Sequence, residues 1–530
     1  MFGEGKEEPT YSNAILASLA KSNEPPSSAD EAALRREREE HARAVTSMDT
    51  EMAQLQASIV ALEKRRKRFG GRSPAYKLAL NPVRRLPNEI LAHIFMFCVD
   101  GEVKCLHRSL WPGKPPWVLT QICRKWRMVS VSLPQLWSTI GVNWTRSSEE
   151  KRALDLPKVE RLLSLSLQRA RDKPLSISWS QTYSHKELLL MLLTRSYQWK
   201  DAKITCGLQG LEQLCPYIGM FPNLTSLHLR TDEDDWLGAI PEEPIFSVFQ
   251  DAPSLRRLTL SGESMAWWLL TEFVPWKQIL QFTITDVVHN IDFADDQDLL
   301  FFPLMENVQV CAIELHAYIF PTGPFQLPHL HTLTLHPYRE GEPDVLLDSL
   351  VLPALKALHL TEDFCSTDAE AILNMVTRSS CQLEELTLFG ENIGTVVDLE
   401  WSPDFFYSDG LKSVTQLHLS GGKRDENCRA SIPDEVLDAL RFVKSGSSQR
   451  TPLPRLRSLR ITGIKQWPDA TLVNMLASRR GVGHLPAGTA TRLEEILLWG
   501  TGNDGFVLED AVAKAQLAQL VEGGLIANFS

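Results

Sequence analysis

The chain has 530 residues, 43% hydrophobic and 23% charged, with a formal net charge of −11. That mixture suits a folded chain longer than one ordinary domain, and the acidic balance argues against nucleic acid as a partner, because phosphate binding needs a basic face. Apolar runs such as Leu188–Leu193 fall far short of the ~18 residues that span a bilayer. The N-terminus has no apolar secretory core, and the nine dispersed cysteines form no CxxC pairs and read as reduced thiols. The expectation is a cytoplasmic or nuclear protein without a membrane partner.

Residues 1–29 have the turn-rich composition of a disordered tail, with Pro25-Pro26-Ser27-Ser28 at its end. A charged helix is predicted over 30–69. Val45, Met48, Met52, Leu55, Ile59 and Leu62 recur in steps of three and four, as in a heptad seam. Two readings stay open: a coiled coil that pairs the chain as a homodimer, and an amphipathic helix that folds onto its own chain or frays. Arg65-Arg66-Lys67-Arg68 ends the helix, either as a nuclear localisation patch or as positive charge at a helix C-terminus.

Residues 82–140 read as a small all-α module. Leu86-Pro87-Asn88-Glu89-Ile90-Leu91 opens a helix: Pro87 suits the first position and Glu89 the positive end of the dipole. Ile90, Leu91, Ile94, Phe95 and Cys98 follow at helical spacing, and Leu119, Ile122, Cys123 and Trp126 predict a second helix. Leu133-Pro134-Gln135-Leu136-Trp137 is a short third element. About 50 residues close only a marginal core, so a broad apolar surplus on such a module points to a contact surface.

The Leu-Pro-x-Glu-Ile…Ile-Phe run followed by Leu-x-x-Ile-Cys-x-x-Trp resembles an F-box, with a longer inter-helix segment, Val99–Pro116, than is usual. The resemblance implies docking of a Skp-type adaptor and, through it, a cullin. The implied adaptor face is Leu86, Pro87, Ile90, Leu91, Ile94, Leu119, Cys123 and Trp126.

Beyond Trp137, helix and strand alternate: a helix over Pro157–Arg171, a strand over Pro174–Trp179, a helix over Lys186–Trp199 and a strand over Ala202–Ile204. From Leu224 an L-x-x-L-x-L triplet repeats ten times. It runs through Leu224/Leu227/Leu229, Leu255/Leu258/Leu260, Ile279/Phe282/Ile284, Met305/Val308/Val310 and Leu330/Leu333/Leu335. It continues through Leu355/Leu358/Leu360, Leu383/Leu386/Leu388, Val414/Leu417/Leu419, Leu456/Leu459/Ile461 and Leu493/Ile496/Leu498. The spacing is that of a leucine-rich repeat, and Pro two residues before several triplets suits the loop leading into a strand. Residues 141–530 are therefore expected to form an irregular solenoid with long loops near Asp232–Asp235, Tyr338–Asp344 and Gly421–Asn427. A helix from Thr367 and a capping helix near Asp504–Val521 complete it. The fold class is α/β: an N-terminal helix with coiled-coil character, a small F-box, then a curved leucine-rich-repeat solenoid with a parallel sheet on its concave face.

Side chains alternate along a strand, so the residues between the leucines line the concave wall. The central column is His228, Thr259, Thr283, Gln309, Thr334, His359, Thr387, His418, Arg460 and Leu497. The next column holds Arg230, Cys311, His336, Phe389 and Trp499. His228, Arg230, His359, Phe389, His418, Arg460 and Trp499 are the candidate contacts to an unidentified protein target. The sequence carries no catalytic, metal-ligating or cofactor-binding motif. The expected function is the substrate-recognition subunit of a Skp-cullin-F-box ubiquitin ligase, not itself an enzyme; a coiled-coil-dimerised repeat scaffold without ligase chemistry is the alternative.

Overall fold

The computed structural model describes residues 16–21, 25–70, 76, 79–100, 109–142, 156–180, 186–207, 210, 213–230, 248–262, 274–285, 301–315, 324–337, 343–361, 366–390, 403–421, 431–432, 434–442, 451–465, 467–480, 491–500 and 506–529. The loops expected at Asp232–Asp235, 338–342 and 422–427 lie outside the described residues, as does much of the 1–29 tail. Two compact units are present, 1–90 and 91–530.

In the first unit a long helix, α1, spans Ser28–Gly70. Ser27 caps it, its hydroxyl accepting from the Asp30 amide at 3.3 Å. The ion pairs Arg35–Glu31 and Arg43–Glu39, one turn apart, support its exposed surface. Val45, Met48, Met52, Leu55, Ile59 and Leu62 are all exposed. A 3-10 turn over Pro82–Arg85 follows, capped by Asn81.

The next helix, α2, spans Asn88–Asp100 and crosses the unit boundary. The single helix expected around Leu119–Trp126 is instead two: α3, Leu119–Ile122, and α4, Arg124–Ser132. Cys123 breaks them with extended backbone, φ −159° and ψ 170°. Arg127 holds the corner by donating from Nε to the Thr120 carbonyl at 2.7 Å. Helical periodicity across Cys123 was therefore coincidental, and Leu119 and Trp126 do not share one helical face.

Among the described residues fifteen strands form one parallel sheet in which nearly every strand pairs with its sequence neighbour, and Phe325–Gln326 and Leu350–Val351 form a separate two-stranded parallel pair. Consecutive parallel strands joined this way place every crossover on the same side; the result is a leucine-rich-repeat-type solenoid. The sheet starts earlier than the leucine triplets, with strands at Thr139–Val142, Leu175–Ser180 and Trp199–Thr205, and ends later, with Ile526–Phe529. Its central row runs Gly141, Ser178, Lys203, His228, Thr259, Thr283, Ala312, Thr334, His359, Thr387, His418, Arg460, Leu497 and Asn528. Flanking leucines such as Leu227, Leu258, Leu333, Leu358, Leu386 and Leu417 are buried against the crossovers.

One repeat is out of register with the sequence reading. Thr283 pairs with Ala312, and Phe282 pairs with Cys311. The core triplet of the fourth unit is therefore Val308/Cys311/Ile313, all buried. Gln309 lies just before the strand, which begins at Val310, and Cys311 is buried in the core instead of lining the open face. The physical reason is composition: a buried thiol packs like a small apolar group, and Met305/Val308/Val310 imitates the leucine spacing three residues too early.

The rungs are tied before each strand begins. The carbonyl of Thr225 accepts two amides of the next rung, from Arg256 and Arg257, both at 3.0 Å. Arg256, Leu280, Gln309, His331, Lys356, Glu384, Thr415 and Arg457 repeat the arrangement. Side chains reinforce it where they can: Thr225 and Thr415 donate to the carbonyls of Lys200 and Glu384, and Asn223 and Asn307 to those of Tyr197 and Lys277. The helix expected from Thr367 spans Ser366–Ser379 and so includes Thr367 in its first turn. The terminal helix is shorter than expected, Ala511–Glu522 capped by Asp510. It buries Leu517 and Ala513 but leaves Val512 and Val521 exposed.

Candidate functional site

Two surfaces stand out. The first is α2, whose sides are unlike. Leu91 and Phe95, one turn apart, are wholly buried. Ile90, Ile94 and Phe97, spaced i, i+4, i+7 along the same helix, are 46%, 40% and 79% exposed. Phe95 is held by Trp126, ring centroids 4.9 Å apart. Around the broken corner Ile122, Cys123 and Met128 are exposed too.

Of the eight residues proposed for an adaptor face, Pro87, Ile90, Ile94 and Cys123 are exposed, and Leu86 and Trp126 are half-buried. Leu91 and Leu119 are buried. They hold the module together and are not available for contact, because the apolar surplus of each helix is split between an inner and an outer side. Phe97, Ile122 and Met128 are further exposed apolar side chains outside that set. The spacing of Phe97 from Ile90 and Ile94 was the available signal.

Trp117, Trp137, Arg169 and Ser109 tie the helical module to the first strands. Trp117 and Trp137 meet edge-on at 4.9 Å. The Arg169 guanidinium, on the helix Leu156–Ala170 (α5), lies 5.2 Å and 4.3 Å from their ring centroids. Trp137 donates to the Ser130 carbonyl at 2.9 Å. The Ser109 hydroxyl accepts from the Gly141 amide at 2.7 Å, within the first strand of the sheet.

The second surface is the open face of the sheet. His228, Arg230, His359, Phe389, His418, Arg460 and Trp499 alternate with buried leucines and so share that face. Arg230, Arg460 and Trp499 are exposed, whereas Phe389 and the three histidines are half-buried. Gln309 and Cys311 leave this face, and Ala312 and Glu314 take their places.

The histidines are engaged with the neighbouring strands. His228 Nε2 lies 3.3 Å from Ser261 Oγ, His336 Nδ1 2.6 Å from Thr361 Oγ1, His359 Nδ1 2.9 Å from Thr387 Oγ1, and His418 Nε2 3.0 Å from Thr462 Oγ1. Each time the hydroxyl comes from a later repeat, within its strand or, for Thr361, just after it. Burial pushes the His228 ring down to about 4, helped by the positive charges of Lys203 and Arg230. Burial does the same at His418, also to about 4, with Arg460 and His359 adding to it. His336 and His359 are lowered by burial against the opposing pull of Glu314 and Glu385. The face thus presents neutral imidazoles beside charged groups of both signs, Lys203, Arg230 and Arg460 with Glu314 and Glu385.

Among the described residues no helix is long and apolar enough to cross a membrane. The fold defines a repeat protein of the leucine-rich-repeat type. No protein-family profile matches the chain, and no curated protein sequence matches it. Among solved structures it is similar to the crystal structure of the Rad7 and Elc1 complex in yeast, at 13% identity over 83% of this chain and 97% of that one, with a TM-score of 0.31.

Proposed function

We propose that this chain is a substrate receptor of a cullin-type ubiquitin ligase, with α2 docking a Skp-type adaptor and the open face of the sheet holding the target protein. The observation that carries the reading is the stripe Ile90, Ile94 and Phe97: three large apolar side chains exposed on one helix whose other side is packed. Exposed apolar surface of this kind marks a contact with another protein. The F-box-like residue pattern around it, Leu86-Pro87-x-Glu89-Ile90, points to the adaptor.

In this role the chain makes no bond itself. It raises the target's effective concentration beside the transferring enzyme. The anchoring of Trp117, Trp137 and Arg169 suits that task, because a receptor must hold what it binds at a fixed place. On the sheet face the exposed Trp499, Arg460 and Arg230 are the anchors best suited to a protein target, since aromatic and arginine side chains dominate protein interfaces.

The test is capture of a recombinant Skp-type adaptor by the full chain, wild type against Ile90→Asp/Ile94→Asp/Phe97→Asp. The expected result is loss of capture with the thermal unfolding midpoint unchanged. Equal capture by both, or none by the wild type, refutes the reading.

A further inference from the structure

The edge from which the strands start is a third surface, and its charges are unevenly partnered. From rung to rung the residues tied there by main-chain bonds are Arg256, Leu280, Gln309, His331, Lys356 and Glu384, with Arg457 and Glu494 further on. Where a cation has an acid on the next rung, the two pair. Lys356 Nζ lies 3.3 Å from Glu384 Oε1, and Arg457 Nη1 lies 3.6 Å from Glu494 Oε1. Arg256 has no such neighbour, because the next two rungs supply Leu280 and Gln309.

Arg256 instead lines a cavity of about 350 Å³ together with Lys277, Asn307, Gln309 and His329. Its guanidinium is already fixed in place: Nη1 donates to the carbonyls of Pro253 and Leu255, at 3.0 and 2.9 Å. Among the described residues Nε and Nη2 have no acceptor. The side of the fork that grips an oxyanion at two points is therefore open. Lys277, on the following rung, has no ion pair among the described residues. Asn307 Nδ2 donates to its carbonyl at 2.8 Å and so ties that rung to the next. No carboxylate lines the cavity; Asp251 and Glu306, the acids nearest in sequence, are exposed and lie outside its lining.

We propose that this cavity binds a phosphate group. Two cations without an acid, set in one cavity, call for a dianion. A phosphate monoester carries close to two negative charges near neutral pH and offers three acceptor oxygens. Arg256 takes two of them through Nε and Nη2, and the Lys277 ammonium takes the third as a point charge. Gln309 and His329 stand beside them as neutral hydrogen-bonding groups. A carboxylate would satisfy the fork and leave the ammonium without a counter-charge. The volume lies within the range of small-ligand sites, about 300–1,000 Å³, so a carrier fits beside the phosphate. The cavity shares no residue with α2 or with the open face of the sheet, so this site is independent of the receptor reading.

The experiment is isothermal titration calorimetry of the full chain at fixed ionic strength. The probes are inorganic phosphate and a short phosphoserine peptide flanked by glycines. Saturable binding at one site is expected. Lys277→Gln should weaken it about three- to tenfold, and Arg256→Gln/Lys277→Gln by about tenfold or more beyond that, with the thermal unfolding midpoint unchanged for Lys277→Gln. Lys356→Gln/Arg457→Gln removes cations of the same edge that already have partners, and should leave binding as it is. Tighter binding of the peptide assigns the phosphate to a protein side chain; equal or tighter binding of inorganic phosphate assigns it to the free ion. Four results overturn the proposal: no saturable binding of either probe, binding indifferent to Lys277→Gln and to the double variant, equal weakening by Lys356→Gln/Arg457→Gln, or equal binding of the peptide with glutamate in place of phosphoserine.

Discussion

The guanidinium carbon of Arg169 lies 4.3 Å from the ring centroid of Trp137. One residue comes from the helix that leads the repeats, the other from the end of the helical module before them. Trp137 is buried and so anchors more than this pair.

Removing the two partners should therefore have unequal effects. Arg169→Ala should cost about 1–2 kcal/mol, the range of a partly desolvated cation–aromatic contact. Trp137→Ala should cost about 3–5 kcal/mol, because it also opens a cavity. Urea unfolding followed by tryptophan fluorescence and circular dichroism measures both. Equal losses would remove the special role of the ring.

Phe95 and Phe97 sit two residues apart on α2, one wholly buried and the other 79% exposed. Phe95→Ala should destabilise the chain by about 3–5 kcal/mol. Phe97→Ala should leave stability within about 0.5 kcal/mol while weakening adaptor capture. Thermal melts and a titrated pull-down on the same two variants separate packing from contact.

Cys311 distinguishes the observed strand register from the one suggested by leucine spacing. Its thiol is buried beside Phe282 and Leu333 in the ladder, and burial pushes its pKa up. A thiol reagent on the native chain should modify the exposed Cys98 and Cys123 and spare Cys311 until the chain unfolds. Cys311→Ser should cost about 1–3 kcal/mol, and Cys311→Val less than about 1 kcal/mol. Mass spectrometry of the labelled peptides and denaturant midpoints report the two outcomes. Rapid native labelling of Cys311 would contradict the register.

Stability should depend on the histidines of the open face. Their rings are held below the ordinary value of 6.5, His228 and His418 down to about 4. The unfolded chain takes up these protons first as pH falls. The contribution is therefore complete above about pH 6.5 and is lost as pH falls from there toward 4. Solvent at this half-buried face reduces the size of the effect but not its sign. His228→Asn/His418→Asn should flatten the decline in unfolding midpoint across that window, read by urea titrations at several pH values. An unaltered slope would assign the decline to the carboxylates.

Much of this molecule is written in its leucines. The triplets at 224–229, 255–260 and 355–360 mark strands because period-two burial on one face leaves a trace that single residues cannot imitate. The trace fades where other residues do the same work. Strands at Thr139–Val142 and Ile526–Phe529 carry no triplet, and the rung at Cys311 substitutes sulfur for leucine. In the helical module the pattern identified which helices carry apolar faces, but not which apolar residues point outward. Leu91 and Ile90 are neighbours of equal hydrophobicity, and only the packing of Phe95 against Trp126 decides that Leu91 is the inner one. The break at Cys123 left no mark at all, since nothing in its side chain demands extended backbone.

The paired amides that each rung gives to the carbonyl before it have one further effect. They run through main-chain atoms, and the residues supplying them share no chemistry: Thr225, Arg256, Leu280, Gln309, His331, Lys356 and Glu384. Along this edge the backbone does most of the fastening, and side chains such as Thr225 and Thr415 only add to it. Where no side chain adds to the main-chain bonds, as at Leu280 and His331, the strip can change character with the stack intact, leaving a margin on which new binding preferences can be drafted.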